Sequence, residues 1–169
     1  MHPRTIIVMG VSGVGKTSVA LGLTAHFDGI YIEADDLHPP ENVKAMSEGT
    51  PLTDEMRAPW LKSVAQAIAD EHRKVKDRTV VATCSALKRQ YRDVIRATLP
   101  DAHFVFLTAD KDLITSRMSA REGHYMPVSL LESQLATLEP LAEDEAHTEV
   151  DVSGTPDEVT SRAIKTLSS

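Results

Sequence analysis

Cysteine, aromatic residues and long apolar runs are all scarce in this 169-residue chain, and each scarcity excludes a class of protein. The single cysteine, Cys84, excludes an internal disulfide framework and is typical of a reducing compartment. It also leaves no cysteine cluster for zinc, and the histidines follow no zinc-ligand spacing. No apolar run approaches the roughly 20 residues that span a bilayer, and no secretory segment precedes the first predicted strand. We therefore expect a cytoplasmic protein without a membrane partner.

Positive charge is also limited, because the formal net charge is −7 with only 18 Lys and Arg residues. A broad basic surface for nucleic acid is therefore not expected. An acidic protein that binds a polyanion must concentrate its cations locally. The positions of the lysines and arginines are consequently informative about function.

The chain is organised around residues 5–17. Thr5 to Met9 is a short, β-branched apolar run that predicts a buried strand, and it leads into the phosphate-loop pattern Gly10-x4-Gly15-Lys16-Thr17. Glycines let backbone N–H groups approach a polyphosphate, and the following helix directs its positive end at the same anion. Lys16 can reach the β- and γ-phosphates, and the Thr17 hydroxyl can bind Mg²⁺. We expect ATP to contact Gly10, Ser12, Gly13, Val14, Gly15, Lys16, Thr17 and Ser18.

Apolar runs alternate with amphipathic helical patterns along the whole chain. This alternation predicts an α/β fold: one three-layer P-loop NTPase domain over residues 1–169, with helices on both faces of a parallel sheet. In such a sheet, ligands bind beyond the carboxyl ends of the strands. The five predicted strands cover residues 5–9, 29–33, 79–83, 103–107 and 149–152.

Two acidic residues follow the second predicted strand. Glu33 and Asp35 alternate, so an extended backbone would place both side chains on one face. One carboxylate could orient Mg²⁺-bound water while the other accepts the proton of an acceptor hydroxyl. The alternative is an acidic strand end that is only solvated.

Basic residues follow the later elements. Arg57 lies in a polar, irregular stretch before a helix predicted from Trp60, where it could bind a carboxylate or pair with Asp54. Lys88, Arg89 and Arg92 follow the third strand, either facing the pocket or forming a solvated helix face.

Arg117 and Arg121 are spaced i, i+4 on a predicted helix, just before a break at Gly123-His124. Arginines on a small mobile lid can close on the phosphates and stabilise transferred charge. The alternative is surface ion pairing with Asp112 or Glu122.

Two classes of nucleotide-binding protein compete at this point. A GTPase switch would carry an N-K-x-D element, but the only asparagine, Asn42, is followed by Val43. A small-molecule kinase is favoured by the compact length. A nucleotide-binding switch would differ by slow turnover whatever acceptor is added.

Six segments in order resemble the gluconate kinase (gluconokinase) family, within the adenylate- and shikimate-kinase-like P-loop kinases. Three residues depart from the family pattern: Glu33 stands where Asp is frequent, Met56 where a third acid is frequent, and Thr17 where Ser is usual. The resembling segments are Gly10–Thr17, Asp35-Asp-Leu-His-Pro39 with Asn42, Gly49-Thr-Pro-Leu-Thr-Asp54 followed by Arg57-Ala-Pro-Trp-Leu61, Cys84-Ser-Ala-Leu-Lys-Arg89 with Tyr91-Arg92, Arg117-Met-x-x-Arg121-x-Gly-His124, and Leu130-Leu-x-Ser-Gln134.

The resemblance implies transfer of the ATP γ-phosphate to the 6-hydroxyl of D-gluconate, giving ADP and 6-phospho-D-gluconate for the pentose phosphate pathway. It also implies Mg²⁺, a five-stranded sheet, a lid near residues 117–136 and a homodimer. Shikimate, a nucleoside monophosphate and adenylylsulfate are the competing acceptors. The catalytic residues implied are Lys16, Asp35, Arg117 and Arg121. Substrate contacts are assigned to Asp35, His38, Arg57, Ser85, Lys88, Arg92, His124 and Gln134, and metal contacts to Thr17 and, through water, Glu33. Pro156 is placed at the adenine by its position alone.

Overall fold

A five-stranded parallel sheet forms the centre of the computed structural model, which describes residues 2–120 and 128–168. The strand order is β2-β3-β1-β4-β5, and each neighbouring pair runs parallel. This arrangement confirms the predicted sheet, and β1 has the predicted bounds. The strands are β1 (Thr5–Met9), β2 (Ile30–Glu33), β3 (Val80–Thr83), β4 (His103–Thr108) and β5 (His147–Asp151).

Helices connect the strands and cover the sheet. No helix among residues 2–120 and 128–168 is both long and apolar enough to cross a bilayer. The helices are α1 (Lys16–His26), α2 (Pro40–Ser47), α3 (Asp54–Lys74), α4 (Arg89–Thr98), α5 (Lys111–Ala120), α6 (Val128–Thr137) and α7 (Pro156–Leu167), with a 3₁₀ turn at Ala34–Leu37.

The central strand β1 shows why the fold has three layers. All five of its residues are buried, and successive side chains point to opposite faces of the sheet. Ile6 and Val8 pack into a core with α1 and α7, whereas Ile7 and Met9 pack into a second core with α3 and α4. Because both faces are covered, the ligand can reach the sheet only at its ends.

The start of α3 differs from the prediction. Residues 50–59 were expected to be irregular, but the helix begins at Asp54 because the Thr53 hydroxyl accepts a hydrogen bond from the Met56 backbone N–H at 3.1 Å. The apolar periodicity starts only at Trp60, so it could not reveal a polar first turn. The Trp60 indole N–H donates to the Ala34 carbonyl at 2.8 Å, which fixes α3 against the 3₁₀ turn.

Candidate active site

The phosphate loop connects β1 to α1 in the predicted strand–loop–helix context. Gly15, which precedes α1, has a φ of 99°, and a Cβ at this position would meet no atom within 4 Å. The left-handed backbone, and not crowding, therefore requires glycine at this point. The Lys16 ammonium donates to the carbonyls of Gly10 and Val11 at 3.0 and 3.1 Å, so it lies across the loop.

Glu33 lies at the end of β2, directly beside the first turn of α1. Its carboxylate accepts from the Thr83 hydroxyl at 2.8 Å, from the Thr17 hydroxyl at 3.4 Å and from the Tyr31 hydroxyl. Burial and the Glu33 carboxylate raise the Tyr31 pKa to about 12, so the phenol remains a donor. The two predicted metal-contacting residues, Thr17 and Glu33, thus lie together with Glu33 fixed in orientation.

Asp35 does not lie on an extended strand. It belongs to the 3₁₀ turn, so the predicted alternation with Glu33 along β2 is wrong. The turn nevertheless keeps the two carboxylates close enough to interact. Lys16, Asp35, His38 and Arg57 border a region at the carboxyl ends of the strands that we call the cleft. Partial desolvation there, together with Glu33, raises the Asp35 pKa, and the nearby Lys16 acts against this rise.

His38 lies at the end of the same turn, with its side chain 3% exposed. Its ring stacks on Trp60 with the ring centroids 4.1 Å apart, and its Nε2 atom lies 3.9 Å from Asp35 Oδ1. Burial lowers its pKa, with Arg57 acting in the same direction and Asp35 against it. A neutral imidazole therefore borders the Asp35 carboxylate.

Arg57 and Lys88 both lie close to the Tyr91 ring. The Arg57 guanidinium donates to the Tyr91 hydroxyl at 2.8 Å, and that hydroxyl donates to Asp54. Lys88 Nζ lies 3.3 Å from the Asp54 carboxylate. The hydrogen bond from Tyr91, reinforced by Gln90 and Lys88, lowers the Asp54 pKa. The sequence indicates Asp54 only as an alternative ion-pair partner of Arg57 and indicates no role for Tyr91, although Thr53 before two acids is a recognisable helix start.

Arg92 is not at the cleft, contrary to its predicted role as a substrate contact. Its side chain has no exposed surface and pairs with Glu145. The same guanidinium donates to the carbonyls of Ala86 and Glu139 at 2.8 and 3.1 Å. Because charge patterns cannot distinguish a buried arginine from an exposed one, the sequence favoured the wrong environment.

A cavity of about 300 Å³ lies between the phosphate loop and the start of α7. Arg117 lines it and donates to the carbonyls of Val152 and Gly154 at 2.6 and 3.0 Å. This guanidinium therefore borders the cavity and is anchored to two backbone carbonyls. The role of Arg117 on the lid stays a prediction. Pro156, which was predicted to lie at the adenine, therefore borders this cavity. The full lining is Gly13, Val14, Gly15, Ser18, Val19, Arg117, Gly154, Pro156 and Val159.

Gln134 of α6 contacts the phosphate loop. Its carboxamide accepts from the Ser12 backbone N–H at 2.7 Å and donates to the Ser12 hydroxyl at 3.0 Å. The side chain predicted to contact substrate is therefore already paired with the loop. Ser85 is also adjacent, since its carbonyl accepts from the Gly10 N–H at 3.4 Å. Arg121 and His124 lie outside the described residues, as does the segment 121–127 of the predicted lid.

Comparisons with known proteins agree with this geometry. A family model described as an AAA domain matches residues 6–138. A gluconokinase of Gluconobacter oxydans is 44% identical over 98% of this chain and 92% of its own length. The thermosensitive gluconokinase of Escherichia coli is 42% identical over 90% of this chain and 81% of its own.

Solved structures extend the comparison to the fold. The crystal structure of a gluconokinase from Sinorhizobium meliloti has a TM-score of 0.89 at 43% identity, covering 99% of this chain and 93% of that one. A shikimate kinase from Aquifex aeolicus, at 15% identity and a TM-score of 0.57, covers 97% of this chain and 96% of its own and shares the fold.

Proposed function

The chain belongs to the gluconokinase family, and on that premise we propose that it transfers the γ-phosphoryl group of ATP to the 6-hydroxyl of D-gluconate. The products are ADP and 6-phospho-D-gluconate. One observation carries the proposal: Lys16 follows β1 and Asp35 follows β2, so both lie at the carboxyl ends of the strands, where they are close enough to interact. A phosphate cradle and a candidate base thus face one cleft.

Gluconate fits the distribution of charge along that cleft. Its terminal 6-hydroxyl would lie at Asp35, which accepts the proton as the oxygen attacks the γ-phosphorus. Its carboxylate would then lie toward Arg57 and Lys88, the cations grouped around Tyr91. Arginine is suited to a carboxylate because its planar guanidinium can donate two parallel hydrogen bonds. The acceptor hydroxyl and the carboxylate would therefore be recognised by groups of opposite charge.

The ATP-binding residues divide between two regions. The loop residues 10–18, including Ser12, with Lys16 across the loop, hold the phosphates. The base lies in the cavity bordered by Gly154 and Pro156, where Arg117 contacts it from the side of α5. Ser85, His38 and Gln134 remain substrate-side proposals, and Arg121 and His124 remain proposals from the resemblance alone.

Mg²⁺ fits the residues beside the loop. Mg²⁺ keeps several waters and takes few protein ligands besides phosphate oxygens. Thr17 offers one hydroxyl oxygen, and the Glu33 carboxylate is held at 3.4 Å from it, within reach of a metal-bound water. When bound, Mg²⁺ would neutralise phosphate charge as it is redistributed.

Three further properties belong to the same proposal: the domain organisation, the oligomeric state and the cellular location. We place residues 1–169 in one kinase domain with a lid near residues 117–136. The family resemblance supports a homodimer, which size-exclusion chromatography with light scattering would measure. A cytoplasmic location is supported by the single buried thiol, whose pKa is raised by burial to about 12.

The deciding experiment is ADP release from Mg·ATP with a panel of acceptors. D-gluconate, other sugar acids, shikimate, AMP and no acceptor are compared at equal concentration. Strong stimulation by gluconate is expected. Stimulation by another acceptor alone would keep a kinase and reject the substrate, and a uniformly slow rate would favour a nucleotide-binding switch.

A further inference from the structure

Beyond these assignments, we infer that Asn42 holds His38 as its Nε2–H tautomer, so that His38 donates a hydrogen bond to the acceptor hydroxyl that Asp35 deprotonates. The second half of this inference rests on the proposed kinase function. The first half concerns only the arrangement of three side chains. Asn42 is a positioning residue in this scheme, because it acts through the imidazole.

The orientation of the Asn42 carboxamide is fixed by a backbone carbonyl. Asn42 is 2% exposed, and its Nδ2 atom lies 3.1 Å from the Met56 carbonyl oxygen of α3. The opposite orientation would bring two acceptor oxygens together in a buried site, which is costly. The NH₂ group must therefore face Met56, and its second hydrogen is directed elsewhere.

That second hydrogen determines the histidine tautomer. Asn42 Nδ2 lies 3.2 Å from His38 Nδ1. Since the amide nitrogen can only donate, Nδ1 must accept, and the imidazole proton must be on Nε2. An imidazolium would place a proton on Nδ1 as well and set two donors against each other. The arrangement therefore selects the neutral Nε2–H ring.

The remaining ring nitrogen faces the candidate base. His38 Nε2 is 3.9 Å from Asp35 Oδ1, too far for a direct hydrogen bond. An oxygen about 2.8 Å from each atom would make roughly a right angle between them. A hydroxyl can occupy that position by donating to Asp35 and accepting from His38. The stacked Trp60 ring keeps the imidazole from rotating away.

This placement gives each part of the acceptor hydroxyl a partner. Its proton passes to Asp35, one lone pair accepts from His38, and another forms the bond to the γ-phosphorus. The bond from that phosphorus to the β–γ bridging oxygen breaks, and the electron pair leaves with ADP. His38 gains and loses no proton in the step, so it orients the oxygen and does not act as the base.

The charge state of His38 can be measured without substrate. Trp60 is the only tryptophan in the chain, and its stacking on His38 makes indole fluorescence sensitive to imidazole protonation. The charged groups facing this ring are Asp35 from the 3₁₀ turn and Arg57 from α3. In the unmodified protein, the fluorescence midpoint should fall below the ordinary histidine range.

Asn42→Asp replaces the amide donor with an acceptor of nearly the same shape. It favours a proton on Nδ1, so the fluorescence midpoint should rise by at least one pH unit. Circular dichroism would establish that the variant is folded. An unchanged midpoint in the folded variant would overturn the assigned tautomer.

A second pair of variants tests the hydrogen bond to the acceptor. In His38→Gln, the longer carboxamide can place an N–H near the position of Nε2, whereas His38→Asn is too short. We expect His38→Gln to keep kcat/KM for gluconate within about tenfold and His38→Asn to lose at least a hundredfold, with KM for ATP unchanged in both. Equal losses in the two variants would overturn the role. Absence of gluconate stimulation in the unmodified protein would instead reject the proposed function, while the fluorescence midpoint would still test the Asn42–His38 contact.

Discussion

Arg92 and Glu145 form an ion pair in which neither side chain has any exposed surface, with Nε 2.7 Å from Oε1. The pair joins α4 to the segment before β5. The remaining donors of Arg92 bind carbonyls of the segment after β3 and of the chain following α6. Arg92 thus holds together the backbone that carries Ser85 and Lys88, without touching the cleft itself.

Breaking this pair should destabilise the protein strongly. Glu145→Gln leaves the buried Arg92 guanidinium without the carboxylate that pairs with it, and losing one partner of a buried pair typically costs about 3–5 kcal/mol. Urea denaturation would measure the change in the free energy of unfolding. Glu143→Gln, at an exposed neighbouring position, is the matched control and should change stability by less than about 0.5 kcal/mol. Equal stability of the two variants would contradict a structural role for the pair.

The Glu145 carboxylate should make the stability of the protein fall with pH in the acid range. Burial alone would raise the Glu145 pKa, but hydrogen bonds from Arg92, the Ala142 N–H and Arg96 lower it to about 2. The folded-state pKa is therefore depressed, so the stabilisation is present above the ordinary value near 4.5 and is lost as the pH falls toward 2. Denaturation midpoints across pH 2–6 would show this loss. Glu145→Gln should make this fall shallower, and an unchanged slope would assign it to other carboxylates.

The fold could be predicted from the sequence because its signals are local. Most strands are apolar runs, and the central strand Thr5–Met9 was therefore predicted with its observed bounds. The polar first turn of α3 carries no apolar residue that packs into the core. Its start was consequently placed at Trp60 and not at Asp54.

The site was harder to predict from the sequence than the fold, because residues that contact each other there are far apart along the chain. The counter-charge of Arg92 lies 53 residues away, and the phosphate-loop partner of Gln134 lies 122 residues away. The turn containing Asp35 follows from a backbone bend that no residue spacing encodes. Residue type therefore identified the candidates, whereas tertiary packing decided which of them face the cleft.

Tyr91 should affect gluconate binding through Arg57. Its hydroxyl joins the Arg57 guanidinium to Asp54, so Tyr91→Phe removes two charge-assisted hydrogen bonds and leaves the guanidinium less constrained. A loss of about 1–2 kcal/mol corresponds to a rise in KM for gluconate of roughly five- to thirtyfold, with kcat changed less. Steady-state kinetics at saturating ATP would measure it. Gln90→Ala is the control, because the Gln90 amide donates to the same Asp54 carboxylate at 2.9 Å. An equal effect of both variants would assign the change to Asp54.

Glu33 should determine how much Mg²⁺ the reaction needs. Glu33→Gln keeps the shape of the side chain and one acceptor oxygen, for either Thr83 or Tyr31, but removes the negative charge beside Thr17. The Mg²⁺ concentration for half-maximal rate should rise about tenfold or more, because outer-shell partners typically contribute about 10- to 100-fold to metal affinity. Asp36→Asn, at an exposed position of the 3₁₀ turn that follows β2, should leave the Mg²⁺ requirement unchanged. Equal Mg²⁺ requirements in all three proteins would remove Glu33 from the metal site.

Substitutions of Asp35 and Lys16 should have different effects on catalysis and on ATP binding. Asp35→Asn removes the proton acceptor but preserves shape, so kcat should fall by about 10²–10⁴ while ATP binding is nearly unchanged. Lys16→Ala should instead weaken both ATP binding and turnover, since the Lys16 ammonium lies across the phosphate loop.

The rate should also depend on pH through Asp35. Desolvation and Glu33 raise the Asp35 pKa, and a base acts only when deprotonated, so the rate should rise with pH through a value above the ordinary aspartate range. Calorimetric titration with a non-hydrolysable ATP analogue would measure binding, and the pH dependence of kcat/KM for gluconate would locate the base. Near-normal turnover in Asp35→Asn would show that another group accepts the proton.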